Sequence, residues 1–304
     1  MKENFGVYHP AINLIFFLTI IIFSVIVMNP VFLGVSFICA FIYSVFFKGI
    51  SAVKFNLLLV IPLLVLSTVI NPLINNRGIT VMFQLPWGPA TLEAVIYGFT
   101  TGLMIGSVIM WFVSFNIIIT SDKLIYLFGR IIPGISLIFV MILRFIPRYR
   151  DQIKKINEGQ ESIGKGVGSG TMRQKIINGS RILSVMFTWA LENAVQTADS
   201  MKARGYGLKN RTTYMKYKFT FSDKILALFM VILSAGVIYS LSFGAMGAEY
   251  FPFVSFTFAE GNQTELLFFI SGCICFTLYS SIPLISGVKE LIYWKRNTYT
   301  EKTG

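Results

Sequence analysis

Six stretches of this chain run almost without a charged residue, at 11–28, 31–47, 55–70, 94–119, 224–241 and 266–285. No other feature limits the possible folds as strongly. As helices, runs of this length and apolarity are suited to crossing the roughly 30 Å hydrocarbon core of a bilayer. Lipid offers no partner to a backbone N–H or C=O, so each run must satisfy its own hydrogen bonds along a helix. The reading is an all-α integral membrane protein with about six transmembrane helices. Charged residues make up only 13% of the chain, against roughly 25% in a soluble domain. The first run lacks a small-x-small cleavage site and is expected to be a retained span.

The charges that do occur are segregated. Between Arg144 and Lys218 stand fifteen Lys and Arg against five Asp and Glu, which accounts for most of the net +12. The 242–265 segment instead holds Glu249, Glu260 and Glu265 without a Lys or Arg, and the tail carries Lys289, Lys295, Arg296 and Lys302. By the positive-inside rule, both termini, the Lys48/Lys54 turn and the basic block lie on the cytoplasmic side. The loops holding Arg77 and the three glutamates then lie outside. This divides the chain into an N-terminal membrane domain of four spans (1–120), a cytoplasmic amphipathic region (121–221), and a C-terminal segment of two spans with a cytoplasmic tail (222–304).

Local signals punctuate this plan. His9-Pro10 opens the first span and Asn29-Pro30 closes it, Pro62 is expected to kink the third, and 71–91 reads as a polar loop. Gly98, Gly102 and Gly106 recur every four residues on the fourth span, spacing that lets a neighbouring helix approach closely in lipid. Ser121, Asp122 and Lys123 open a short amphipathic segment ending near Arg130. The apolar run 131–146, broken at Pro133-Gly134, reads as a re-entrant or interfacial helix entering the basic block. Gly159 and the run from Gly164 to Gly170 look like a flexible joint between two helices.

The most informative stretch is 182–211. Leu183, Met186, Phe187, Ala190, Leu191, Ala194, Val195, Ala198 and Met201 form one apolar helical stripe, with Asn193, Thr197 and Ser200 off it. Gly205 or Gly207 can take the left-handed conformation that ends a helix. Arg204 then stands in the last turn, where the helix macrodipole favours a cation. A small residue before it and glycine after it leave the guanidinium uncovered. Two readings of this region are open: an interfacial helix on anionic lipid, or a surface that docks a partner protein. The Gly-flanked arginine favours the second.

Chemistry is sparse. His9 is the only histidine, and it has no evident catalytic partner. Cys39, Cys273 and Cys275 lie inside apolar runs and read as packing residues. Gly164-Lys165 lacks the strand and the Gly-Lys-Ser/Thr of a phosphate-binding loop. Glu93 is explained by its place at a helix N-terminus. No nucleic-acid-binding pattern occurs, and no cofactor or enzymatic activity is expected. A permease enclosing its own substrate path is the alternative; it needs polar residues facing one another within the spans, and these are sparse.

With these residues in view, the chain resembles the transmembrane T component of energy-coupling factor transporters, the EcfT/CbiQ family. The family's second coupling signature is a helix ending Ala-Met-Glu-Ala-Arg-Gly-Tyr. Here Met201-Lys202-Ala203-Arg204-Gly205-Tyr206 matches it, followed by Arg211-Thr212. His9-Pro10, Asn29-Pro30, Asn71-Pro72, Thr91-Leu92-Glu93 and Leu143-Arg144-Phe145-Ile146-Pro147 also look like family features. The first coupling motif departs from the pattern. Its place reads Ser162-Ile163-Gly164, with Ile163 where arginine is expected. The resemblance implies a non-catalytic subunit of a prokaryotic plasma-membrane importer. Two cytoplasmic ABC-type ATPase subunits would hold the coupling helices, with Ala203, Arg204 and Gly205 as the coupling residues. A separate substrate-binding membrane protein, the S component, would rest on the amphipathic helices and carry a vitamin or metal ion inward.

Overall fold

The computed structural model describes residues 5–86, 88–168, 170–208, 217–256 and 263–303, the last helix by its backbone alone beyond Gly287. Helices α1 (Pro10–Ile26), α2 (Pro30–Lys48) and α3 (Ile50–Ile74) are followed by strands β1 (Val81–Leu85) and β2 (Gly88–Thr91). Then come α4 (Leu92–Ile118), α5 (Ser121–Ile131), α6 (Pro133–Ser162), α7 (Met172–Ala203) and α8 (Phe221–Ser242). The two-residue strands β3 (Ala248–Glu249) and β4 (Ser255–Phe256) precede the terminal helix α9 (Gln263–Thr303). The all-α membrane class is what the structure shows. The polar loop expected over 71–91 needs correction, since α3 extends to Ile74 and most of the remainder is an antiparallel hairpin.

Helix starts follow their residues. The His9 side chain accepts from the Ala11 N–H at 3.2 Å, and Asn29 Oδ1 accepts from the Val31 N–H at 3.1 Å. Each cap is followed by a proline at the first helical position, where a missing N–H costs nothing. Thr220 and Asp223 form a capping box at α8, and Asp223 also accepts from the backbone N–H of His9 at 3.1 Å, tying α8 to the start of α1.

Four helical stretches are long and apolar enough to cross a membrane: Val53–Ile74, Leu92–Ile118, Phe221–Ser242 and Gln263–Gly287. Pro10–Ile26 and Pro30–Phe46 are shorter apolar helices; the former, at 17 residues, is about 26 Å long and lies at the lower limit for spanning. The chain is a multi-pass membrane protein.

It divides into two compact units. The first comprises 1–124 and 217–304. In it α4 packs on α1, α2 and α3, and α9 on α8 and α2. Its centre is aromatic: Trp111 and Phe16 are fully buried, and Phe16 stacks on Tyr279 at 5.2 Å. The Trp111 indole N–H donates to Ser36 Oγ at 3.0 Å, and Ser36 shares a 2.9 Å hydrogen bond with Ser24. The glycine stripe of α4 lies against α3: a Cβ on Gly98 would stand 2.6 Å from the Ser67 carbonyl oxygen, and one on Gly102 3.1 Å from Leu64 Cα. Residues such as Leu58, Ile61, Leu66, Val231 and Ile232 are exposed on the outside of this bundle, as suits side chains that meet lipid.

The hairpin is fastened to the start of α4. Glu93, buried in the first turn, accepts from the Thr80 N–H at 3.1 Å and the Thr80 hydroxyl at 2.7 Å. Thr91 Oγ1 donates to the Arg77 carbonyl at 2.9 Å. The N-terminal role read for Glu93 thus extends to holding this hairpin.

The second unit, 125–216, contains α6 and α7 packed together. The Tyr149 ring meets Trp189 edge-on at 5.4 Å, and the Arg148 guanidinium lies over Trp189 at 5.7 Å. α6 is one continuous helix from Pro133 through Arg144 and Pro147, so the apolar run from 133 to 146 and the basic segment after it are a single rod, while Ile131 ends α5. α7 begins at Met172, eleven residues before the stripe of the sequence.

Candidate functional site

The ends of α6 and α7 are built alike. α7 closes after Ala203. Arg204 is the cap residue at φ −84°, ψ 8°, and Gly205 takes φ +81°. The Tyr206 N–H reaches back to the Met201 carbonyl at 3.0 Å and the Gly205 N–H to the Lys202 carbonyl at 3.0 Å. These two hydrogen bonds are the paired closure of a Schellman motif. Of the two glycines that the sequence offered, Gly205 makes it. A side chain there would be strained by its φ and would meet Leu208 Cδ1 at 2.9 Å.

α6 closes in the same way. Ser162 is its last residue, Ile163 caps it at φ −104°, ψ 16°, and Gly164 takes φ +72°. The Lys165 N–H bonds the Gln160 carbonyl at 2.8 Å and the Gly164 N–H bonds the Glu161 carbonyl at 2.9 Å. The Ser162 hydroxyl adds a bond to the Gly159 carbonyl at 2.8 Å. Ser162-Ile163-Gly164 and Ala203-Arg204-Gly205 are therefore the same backbone knob made twice. The presented side chains differ. Arg204 is exposed, and Ile163, an apolar side chain, is 60% exposed.

The joint between the two helices falls over the run from Gly164 to Gly170, while Gly159 lies inside α6, and hydrogen bonds hold it. Asn157 Oδ1 accepts from the Val167 N–H at 3.2 Å, and the buried Asn178 amide donates to the Gly166 carbonyl at 3.1 Å. Gln174 Oε1 accepts from the Thr171 N–H at 2.9 Å, the returning half of a capping box that fixes the start of α7. Thr171 and Gln174 have the spacing of that box in the sequence, which is the signal that places the true start.

Most of the apolar stripe of α7 lies off the buried face, with Met186 the exception. The buried positions are Asn178, Ile182, Met186 and Asn193, so Asn193, read as off the stripe, lies inward. Leu183, Val195, Phe187 at 69% and Leu191 at 68% are exposed. A row of large apolar side chains on a long helix is an adhesive surface.

Lys123 is a further residue that patterning did not single out beyond the opening of α5. It is buried, and its ammonium donates to the Ile118 carbonyl at 2.7 Å at the end of α4. A cation on the last carbonyls of a helix complements its dipole. His9 is spent on capping α1. Among the described residues no group of three His, Cys, Asp or Glu could hold a metal ion. Arg211 and Thr212, Glu260 and Gly261 lie outside the described residues, as do the side chains of Lys289, Lys295, Arg296 and Lys302.

The arrangement supplies two rigid knobs, one cationic and one apolar, and an exposed apolar row. Comparison with known proteins gives these features a context. The profile of CbiQ, the cobalt transport protein family, matches residues 6–215, more than half of the chain. The energy-coupling factor transporter transmembrane protein EcfT 1 of Listeria monocytogenes is 26% identical over 210 residues, covering 64% of this chain and 74% of its own. EcfT of Brevibacillus brevis is 30% identical over 184 residues, covering 56% of this chain and 69% of its own. EcfT of Staphylococcus aureus is 32% identical over 113 residues, covering 37% and 42%.

Proposed function

This chain belongs to the EcfT/CbiQ family, the transmembrane T components of energy-coupling factor transporters, and on that premise we propose that it transmits the movement of two cytoplasmic ABC-type ATPase subunits to a separate substrate-binding membrane subunit. The α7 and α6 tips seat in surface grooves of the ATPases. The exposed apolar row of α7 supports the substrate-binding subunit, which carries a vitamin or metal ion inward. The chain itself performs no phosphoryl transfer. The basic block faces the cytoplasm with both termini, and the 1–120, 121–221 and 222–304 segments act as membrane, coupling and membrane parts.

The observation that carries this reading is Arg204 on its glycine-closed cap. Its backbone is fixed by two hydrogen bonds, so presenting the guanidinium to a partner requires ordering of the side chain alone. A guanidinium offers five donors in a planar fork matched to carboxylates, and charge-assisted hydrogen bonds contribute roughly 1.5–3 kcal/mol each. The polar side chains that face one another in the spans are engaged within the bundle: Ser24 and Ser36 share a hydrogen bond, Ser36 accepts from Trp111, and Ser44 accepts from Asn56. Ser24, Ser107 and Ser114 bond carbonyls of their own helices.

The test compares Arg204→Ala and Arg204→Lys, expressed with the partner subunits in native membranes. Both variants should insert normally. Arg204→Ala should lose ATPase subunits on affinity purification and lose transport, and Arg204→Lys should recover only part of each, since a point charge cannot reproduce the fork. Normal transport with full ATPase retention by Arg204→Ala would overturn the coupling role.

A further inference from the structure

Among the described residues, the buried Asp, Glu, Lys and Arg side chains are Glu93, Lys123 and Asp223. Glu93 holds the hairpin over 81–91. The other two stand where the chain leaves the first unit and where it returns, since that unit breaks off at Leu124 and resumes at Tyr217. Removing a charge from water is unfavourable unless it is well paired. Capping a helix does not require it, as the neutral Asn29 shows at α2.

At the departure, α4 ends at Ile118 and α5 begins at Ser121. Lys123 is only 6% exposed, and its ammonium reaches back across the turn to the Ile118 carbonyl at 2.7 Å. The Leu124 N–H bonds the Thr120 carbonyl at 3.2 Å. The corner between α4 and α5 cannot open without stripping a cation from the last carbonyl of α4, out of reach of water. At the return, Asp223 is 3% exposed. One carboxylate oxygen accepts from the Thr220 N–H at 2.8 Å and the Thr220 hydroxyl at 2.7 Å. These bonds belong to the capping box of α8. The other oxygen accepts from the His9 N–H at 3.1 Å, a bond that α8 does not need and that ties it to the residue capping α1. The Phe219 ring lies 4.7 Å from the His9 imidazole and the Tyr217 ring meets it edge-on at 6.4 Å. The returning segment is thus seated on His9 from Tyr217 onward. Both attachments lead to one body, because α1 packs on α4.

We propose that Lys123 and Asp223 are positioning residues for coupling. They clamp both chain crossings onto the α1–α4 body, so that a displacement imposed on 125–216 is delivered to the spans instead of being absorbed by bending at the crossings. This rests on the coupling role proposed above. Neither residue lies on α6 or α7, so loss of a clamp leaves the ATPases bound and dissipates the stroke.

The experiment uses the whole transporter with its ATPases in lipid nanodiscs, in a background lacking Cys39, Cys273 and Cys275. Nitroxide labels are placed at position 196 on α7, exposed and off the apolar row, and at position 228 on α8, also exposed. Pulsed electron resonance reads the distance distribution between them without nucleotide and with a non-hydrolysable ATP analogue. The parent should give a narrow distribution that shifts with nucleotide. Lys123→Met keeps the aliphatic stem and removes the ammonium. Asp223→Asn keeps one acceptor oxygen and turns the other into a donor facing donors. Each should retain its ATPases on affinity purification, yet give a distribution at least twice as wide with the nucleotide shift smeared out. Lys123→Arg should restore the narrow distribution. Thr220→Val, which lowers stability by removing the capping hydroxyl but spares the bond from His9 to Asp223, should keep the parent's width. The two clamp variants act at separate crossings, so either one that assembles carries the test. Parent width in Lys123→Met and Asp223→Asn, or a broad distribution in the parent itself, would overturn the clamps while leaving the role of Arg204 standing. A parent distribution that does not respond to nucleotide would overturn the coupling role, and the clamps with it.

Discussion

Replacing Gly98 by alanine should weaken the first unit by about 2 kcal/mol. The added Cβ would lie 2.6 Å from the Ser67 carbonyl oxygen, 2.9 Å from Asn71 Cβ and 3.1 Å from Thr68 Cα. Comfortable non-bonded separations are about 3.5–4.0 Å between carbons. Two of the three obstructing atoms are backbone and the third is a Cβ, so no rotamer change relieves the clash, and α3 must retreat by roughly 0.5–1 Å. That retreat also stretches the hydrogen bond from Ser67 Oγ to the Gly98 carbonyl, 2.8 Å long. Overpacking of this kind costs about 1–3 kcal/mol and a weakened hydrogen bond up to about 1. The better helix propensity of alanine returns roughly 0.5–1 kcal/mol. Gly34 in α2 is the control, because a Cβ there meets no heavy atom within 4 Å. Reversible unfolding by dodecyl sulfate in mixed micelles, followed by tryptophan fluorescence, measures both variants. Gly34→Ala should unfold at or slightly above the parent's midpoint and Gly98→Ala clearly below it. Equal midpoints for the two variants would refute the close α3–α4 approach.

Trp111→Phe should keep the aromatic cluster but lose the donor to Ser36, lowering stability by about 0.6–1.5 kcal/mol in the same assay; a double-mutant cycle with Ser36→Ala should assign most of that loss to the pair. For topology, single cysteines introduced into a background lacking Cys39, Cys273 and Cys275 should be labelled by an impermeant maleimide from outside at position 261. Position 295 should be spared until the membrane is opened, and the reverse pattern would invert the proposed orientation.

What the sequence could disclose depended on how local each signal was. The glycine stripe of α4, the helix start at His9 and the closure at Gly205 are set by residues within a turn or two of where they act, whereas Asn29, read as closing the first span, caps the start of α2. The hairpin over 81–91 was not legible, because it is held by Glu93 and Thr91 reaching back to Thr80 and Arg77. The apolar periodicity begins at Leu183, whereas the first two turns of α7 mix Met172, Ile176 and Ile177 with polar residues and are secured by Gln174 and Asn178. The same periodicity left open which face packs within the chain. Asn178, Met186 and Asn193 face inward, and most of the apolar row faces out. A stripe on a helix shows that something covers it, and does not distinguish the chain's own core from a partner.

The length of α7 has a mechanical consequence. Its 32 residues make a beam about 48 Å long, with no proline along it and one end gripped by the hydrogen-bonded turn at Gly166. A rotation of about 5° at the gripped end sweeps the opposite end through about 4 Å on that length. Displacements of only a few ångströms at Arg204 and small changes of inclination along the apolar row are thus two readings of one rigid motion. Leverage of this kind survives only while the beam stays stiff and its closed end does not fray. In the proposed coupling role, the glycine at 205 would therefore serve the stroke as much as the contact.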